Sequence, residues 1–254
     1  MHKKYAIISD IHGNSLALLA VLKDIRARKI DTIINLGDHF FGALEPESVA
    51  VLLRENPMLC ISGNTDREIL ESFTQPSKKE GMERVRQELS ETSVNWLKSL
   101  PKAATCDELF FICHGTPEKD NEYLLEQVTP QGVFVYNDEE LIRRTAHIQE
   151  RIILCGHSHV NRVIYLSNGK IIINPGSVGL PAYLGNGEHY FAMESMSPHA
   201  KYAIVCASGQ SINIEQVLVT YDWQQASEAA RLNGNEQWAD FLLHGRMPQS
   251  LRQP

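Results

Sequence analysis

The sequence predicts an α/β fold in which two sheets pack together with helices outside them, all within one domain. Three observations predict it. Short apolar runs alternate with amphipathic segments as far as Asn64, and after Pro101 the texture changes to paired apolar runs separated by turn residues. No linker rich in Pro, Gly or Ser, no internal repeat and no low-complexity tract divides the 254 residues, a length one core can still fill, since single cores stop growing at about 250–300 residues.

The elements follow in order. Tyr5 to Ser9 is a short apolar run, and Leu16, Leu19, Leu22 and Ile25 recur at helical spacing towards Arg28, so the chain opens strand, loop, helix. Thr32 to Leu36 reads as a strand ending at Gly37-Asp38, Pro46 to Arg54 as a helix, and Met58 to Ser62 as a strand ending at Gly63-Asn64. This βαβαβ order is the mark of a mostly parallel sheet flanked by helices. Residues 78–100 carry Met82, Val85, Leu89, Val94 and Leu97 at helical intervals and are stopped by Pro101. Ala103 to Cys106 and Leu109 to Cys113 form a hairpin pattern around Asp107-Glu108, and Arg162 to Leu166 with Lys170 to Ile173 another around Asn168-Gly169. Between them Ile152-Ile153-Leu154 is a buried-strand pattern that breaks at Gly156. Tyr202 to Cys206 and Ile212 to Val219 add a last antiparallel pair, and residues about 223–250, with Trp223, Trp238 and Phe241, read as helices whose default role is to cover the core.

Composition excludes several classes. Hydrophobic residues at 43% and charged residues at 22% are ordinary for a soluble globular chain, so neither disorder nor a fibrous structure is expected. No apolar run approaches the roughly 20 residues that cross a bilayer. The apolar stretch after Met-His-Lys-Lys is interrupted by Ser9 and Asp10, too soon for an export signal, so the expected location is cytoplasmic. Cys60, Cys106, Cys113, Cys155 and Cys206 are odd in number and form no Cys-x-x-Cys pair, which reads as free thiols in a reducing compartment. A net charge of −7 argues against general nucleic-acid binding, although a site can be locally positive on an acidic protein.

The polar residues that follow strand ends carry the chemistry. The first strand leads into Asp10-Ile11-His12-Gly13, the second into Gly37-Asp38, the third into Gly63-Asn64, the run 109–113 into His114-Gly115, and the run 152–155 into Gly156-His157-Ser158-His159. Singly, most of these are ordinary turns or edge histidines. Together they place a polar group beyond the carboxyl end of five strands, where ligands bind in open α/β sheets. Two carboxylates, one carboxamide oxygen and four imidazoles make a mixed nitrogen and oxygen set suited to zinc, manganese or iron rather than calcium, and too large for a single ion.

The series Asp10-Ile11-His12-Gly13-Asn14, Gly37-Asp38-His39-Phe40, Gly63-Asn64-Thr65-Asp66, Cys113-His114-Gly115 and Gly156-His157-Ser158-His159 resembles the calcineurin-like metallophosphoesterase superfamily and, within it, the small bacterial and archaeal phosphodiesterases. Asn174-Pro175-Gly176-Ser177 resembles a further family segment. The resemblance implies a four-layer α/β/β/α sandwich of two mixed sheets with a dinuclear centre between the sheet edges. It implies that Asp10, His12, Asp38 and His159 hold one divalent ion and Asp38, Asn64, His114 and His157 a second, with Asp38 bridging and Cys155 a buried strand residue outside the set. Two such ions about 3.5–4 Å apart lower the pKa of a shared water enough to give a bridging hydroxide at neutral pH, and they clamp phosphoryl oxygens.

The expected activity is therefore hydrolysis of phosphodiesters or small activated phosphates. The alternatives are a phosphomonoesterase, a (di)nucleotide polyphosphate hydrolase and, in another class, a protein-binding scaffold of the Vps29 type. The expected partner is a small phosphoester; a membrane is not expected, and oligomeric state is not legible. Catalytic roles fall to Asp38, Asn64 and His114. In the protein-phosphatase branch a histidine follows the metal-binding asparagine, whereas here it is Thr65, which donates a proton less readily; His39 is the candidate substitute as proton donor or phosphate contact. Arg67 and Ser177 are further candidate substrate contacts. Asp66 is read as the cap of a helix beginning at Arg67, with orientation of His114 as the alternative. Many members of the family carry an arginine after the Asn174 segment; Gly179-Leu180-Pro181-Ala182-Tyr183 has none, and Tyr183 offers an aromatic contact instead.

Overall fold

A computed structural model describes residues 3–186 and 190–248. Five strands form one mixed sheet in the order β14-β13-β1-β2-β3, with β1 at Lys3–Ile8, β2 at Thr32–Asn35, β3 at Leu59–Cys60, β13 at Ala200–Ser208 and β14 at Ser211–Val219. Here β1, β2 and β3 run parallel, while β13 returns antiparallel on β1 with Tyr5 opposite Val205. A second sheet has the order β4-β5-β8-β10-β9, from β4 (Ala103–Cys106), β5 (Phe110–Cys113), β8 (Ile152–Leu154), β9 (Arg162–Tyr165) and β10 (Ile171–Asn174). Its three central strands β5, β8 and β10 are parallel, and its edges are the two hairpins read from the sequence.

Side-chain alternation explains the layers. Along β1, Tyr5 and Ile7 point into a cluster with Ile34, Phe110, Ile112 and Ile173, which joins the two sheets face to face. Ala6 and Ile8 point the other way, towards α1 (Ser15–Ala27), α2 (Pro46–Glu55) and the C-terminal α7 (Trp223–Leu232) and α8 (Glu236–His244). On the second sheet Ile153 and Ile172 face outward onto Leu141 of α6 (Asp138–Arg144). A strand covered on both faces reads as a continuous apolar run, as Ile152-Ile153-Leu154 does. The result is the expected four-layer α/β/β/α sandwich.

The expected helix over 78–100 is two helices, α4 (Met82–Glu88) and α5 (Glu91–Ser99). Leu89 is extended, and the Ser90 hydroxyl accepts the Ser93 N–H, restarting the helix with a cap. The helix expected at Arg67 begins earlier, as α3 (Asn64–Ser72). Two small hairpins had no clear sequence pattern: β6 (Glu126–Thr129) with β7 (Gly132–Val135), and β11 (Ala182–Asn186) with β12 (Tyr190–Glu194). Their strands pack as flaps beside the sandwich, so no long alternating run marks them. The C-terminal helices occupy residues 223–244, and the end of the range expected for them falls partly outside the described residues. Among the described residues no helix is long and apolar enough to cross a membrane.

Phe110 is fully buried between the sheets, its ring edge-on to Tyr5 with centroids 4.7 Å apart. Phe110→Ala is expected to lower unfolding free energy by about 3–5 kcal/mol in urea titration, because the rigid sheets cannot collapse on the void.

Candidate metal centre

Parallel pairing carries the carboxyl ends of β1, β2 and β3 to one edge of the first sheet, and those of β5, β8 and β10 to the facing edge of the second. The loops then knit together: Asp10 N–H donates to Gly37 O at 3.0 Å, His12 N–H to Asp38 O at 3.0 Å, and Gly156 N–H to His114 O at 2.8 Å. Five of the expected ligands, Asp10, His12, Asp38, His157 and His159, have φ between 52° and 65°, the left-handed region that costs an L-residue energy. Each sits where a strand ends in a sharp reversal, and the reversal turns its side chain inward. Gly156 allows a close approach of the chains, since a Cβ there would run into the Ser9 hydroxyl and the Asp10 carboxylate.

The structure brings all seven expected ligand residues together, in two groups. Asp10, His12 and His159 present ligand atoms to one another, and so do Asp38, His114 and His157. His12 Nε2 is 3.1 Å from His159 Nε2 and 3.6 Å from Asp38 Oδ2. His159 Nε2 is 3.2 Å from Asp10 Oδ1, and His114 Nε2 is 3.4 Å from Asp38 Oδ2 and 3.1 Å from Asn64 Oδ1. The two groups are thus one cluster, with Asp38 against both.

Orientation is fixed from behind. The Nδ1 atoms of His12, His114 and His159 lie 2.7 Å from the carbonyls of Phe41, Leu36 and Leu180. A carbonyl only accepts, so each Nδ1 carries hydrogen and each Nε2 faces the cluster, the arrangement that metal-binding imidazoles adopt. Tyr123 stacks on the His157 ring at 4.7 Å, and Tyr183 donates to the His157 carbonyl at 2.9 Å.

Titration properties agree with a cation-binding set. Burial works to raise the Asp10 carboxyl, but the imidazoles of His159 and His114 prevail and pull it down to about 2. Burial opposes ionisation of Asp38 too, and His114, His12 and His157 hold it well below the usual carboxylate range. Burial, reinforced by neighbouring imidazoles, lowers His12 to about 4 and His157 to about 3, leaving both neutral at pH 7. His114 differs: burial would lower it, but Asp38 and Asp10 outweigh that and raise it to about 10. Buried Asp10 Oδ1 accepts no hydrogen bond among the described residues, although three imidazoles lie within 3.9 Å. Ionised carboxylates, a carboxamide oxygen and inward-facing imidazole nitrogens around an acceptor with no donor fit divalent cations.

Other expected residues fall elsewhere. His39 does not reach the cleft: it is fully buried against Trp96 and Phe40, its Nδ1 2.8 Å from Asp66 Oδ2. Burial would lower its pKa, but Asp66 prevails and raises it to about 10. The expectation of a proton donor or phosphate contact at His39 is therefore corrected; the residue after Asp38 points to the opposite side of the reversed chain. Asp66 does not orient His114 either. Its carboxylate accepts the N–H groups of Asp38, His39 and Gly63 and faces the His39 ring, so it ties the Asp38 turn to the start of α3. Arg67 does not line this cleft; it lies in a neighbouring pocket that His114 also lines, where its guanidinium donates to Asp120 at 2.8 and 2.9 Å and to Glu71 at 3.1 Å. Ser177 is buried, donating to Asp10 O at 2.7 Å and accepting from Leu180 N–H at 2.8 Å, so it fixes the Asp10 loop rather than meeting substrate. Cys155 is buried in the strand layer, as expected.

Sequence reasoning missed part of the surroundings. Glu126 on β6 is buried and accepts from Ser158, which lies between the two histidines of the β8 loop, and Asn174 donates to the same serine. The cluster opens into a cleft of about 590 Å³, walled by Phe41, Tyr123, Tyr183, Phe191 and, from α8, Trp238 and Phe241. The C-terminal helices therefore do more than cover the core. Apart from Tyr183, nothing in residue spacing linked these rings to the ligands, since they come from two loops, one unrecognised hairpin and a distant helix.

Comparison with known proteins decides the family. Residues 4–197 match the model of the calcineurin-like phosphoesterase superfamily domain. The chain belongs to that superfamily, and it is a metallophosphoesterase by membership. An uncharacterized protein of Methanocaldococcus jannaschii is 29% identical over 265 residues, covering 95% of this chain and 98% of that one. The crystal structure of a metallophosphoesterase from Sphaerobacter thermophilus superposes with a TM-score of 0.72 at 24% identity, covering 96% of this chain and all of the other. That of a putative diadenosine tetraphosphatase does so with 0.53 at 13% identity, over 84% and 93% of the two chains. These likenesses show the fold.

Because the raised pKa keeps His114 protonated at pH 7, a cation must displace its proton. Manganese affinity is expected to rise with pH through the neutral range, with proton release seen by calorimetry as a heat that depends on the buffer's protonation enthalpy. A pH-independent affinity with no released proton would contradict this.

Proposed function

We propose that this metallophosphoesterase hydrolyses phosphodiesters or small activated phosphate esters, with two divalent cations held by Asp10, His12, Asp38 and His159 on one side and by Asp38, Asn64, His114 and His157 on the other. The observation that carries the reading is the gathering of these groups into one cluster at an open cleft, in which Asp10 Oδ1 has His12, His114 and His159 within 3.9 Å yet accepts no hydrogen bond among the described residues. Manganese, iron and zinc all suit the donor set. Bound there, such ions supply Lewis acidity towards phosphoryl oxygens and a lowered pKa for water.

The chain's own residues do the rest. Asp38 touches both histidine groups and is the natural bridge. Asn64 presents its amide oxygen beside His114 Nε2 from the first residue of α3, and Thr65 N–H donates to Asp38 Oδ1 at 2.9 Å, fixing the carboxylate. Cationic centres in a low-dielectric floor draw an anionic substrate despite the acidic composition. Among the described residues, no imidazole outside the ligand set lines the cleft. Proton delivery to a leaving oxygen, typically worth about 10²–10⁴ in rate, therefore has no imidazole dedicated to it among the described residues, which favours esters with good leaving groups.

Assays of an activated diester and an activated monoester with manganese test this, alongside Asp38→Ala. Hydrolysis with the diester ahead, lost by at least about 10³ in the variant as expected for a metal-bridging group, supports the proposal. Faster monoester or dinucleotide polyphosphate cleavage would move it to the alternative substrates. Stoichiometric manganese without turnover of any ester would favour the Vps29-type scaffold and overturn it.

A further inference from the structure

We infer that the cleft selects phosphoesters whose organic group carries a flat aromatic ring, and that Trp238 is the residue that reads this ring. The inference rests on the phosphoesterase reading above and adds a substrate class to it. Size is the first argument. The cleft, its floor at the candidate ligands included, holds about 590 Å³, within the roughly 300–1,000 Å³ of pockets that enclose a whole organic ligand. A phosphoryl group alone would leave most of it empty.

The chemistry of the walls is the second. Rings begin at the ligands themselves: the Trp238 centroid is 5.9 Å from that of His12, nearly perpendicular, and Tyr183 is 4.5 Å from His159. Phe41 continues the Trp238 wall at 6.4 Å, and Phe191 continues the Tyr123 wall at 6.0 Å. An ester group leaving a phosphate held at these histidines passes at once between aromatic surfaces. The two tyrosine hydroxyls are already bonded, to each other at 2.7 Å and from Tyr183 to the His157 carbonyl, so what these side chains offer a ligand is their rings. Aromatic rings gain from edge and offset contacts with another ring beyond simple area burial.

Rigidity is the third. Trp238 lies over Gly42, where a Cβ would stand 2.6 Å from the indole Cζ3. Its helix is pinned at the start by the Asn235 side chain accepting Trp238 N–H at 2.9 Å, and along its length by Ser227 donating to Ala239 O at 2.9 Å. Met196 N–H donates to Gly245 O at 2.8 Å and closes the far end. The wall is preformed, so little ordering cost opposes binding. Trp238 lies outside residues 4–197, the segment matched by the superfamily model, so this part of the wall is added to the rings that the matched segment itself supplies.

Two non-hydrolysable probes with the same head group, phenylphosphonate and methylphosphonate, separate ring recognition from leaving-group chemistry. Cyclohexylphosphonate controls for bulk. Calorimetry on the manganese-loaded protein should give phenylphosphonate about tenfold tighter binding or better over methylphosphonate, with cyclohexylphosphonate between them. Trp238→Ala should bring the ratio below about threefold, and Trp238→Phe should restore part of it, a rescue that a folding defect would not give. Equal binding of the three probes, or an undiminished ratio in Trp238→Ala, would overturn the aromatic subsite while leaving the hydrolase intact. Failure of every phosphonate to bind, together with no ester hydrolysis, would instead remove the underlying function.

Discussion

The constraint on which the site depends is the burial of two carboxylates and three imidazoles, with a fourth imidazole half-buried beside them, at the meeting of two sheet edges. Such groups are not left in a low-dielectric interior without compensation. In the chain alone, the proton on His114 and the hydrogen bonds of the loops supply part of it, but Asp10 Oδ1 still accepts nothing. The two groups of donors could hold divalent cations, which would complete the account.

The stiffness of the surroundings follows from this. Five of the candidate ligands occupy left-handed backbone conformations, and bonds to neighbouring loops hold them there. Asp66 ties the Asp38 reversal to α3, Ser177 ties the Asp10 loop to the chain after β10, and Glu126 with Asn174 holds Ser158 between the two histidines of its loop. The His39–Asp66 contact belongs to this scaffolding. Its burial beside Trp96 places a charged pair beneath the Asp38 turn, where it shapes the ligand without seeing the substrate. Above this frame the cleft walls come from separate additions, the β6–β7 and β11–β12 hairpins and α8, so the floor and the walls are built from different parts of the chain.

The sequence by itself made legible the order of the main strands and helices, the two-sheet architecture and the candidate ligands, because those depend on local information. Apolar runs with period two or unbroken burial mark strands, and a donor residue next to a glycine at the end of each run marks a functional turn. It could not determine which way the residue after a ligand points. His39 directly follows Asp38 and Ser177 directly follows a glycine turn, yet one lies behind the centre and the other under a loop, since left-handed turns send consecutive side chains to opposite sides. Arg67 looked available because Asp120, which neutralises it, lies 53 residues away. The break at Ser90 was hidden because the apolar spacing continues across it while the hydroxyl restarts the helix. Only the tertiary structure could bring Trp238 to His12 and Tyr123 to His157, because those contacts are set by how whole layers pack and not by any spacing along the chain.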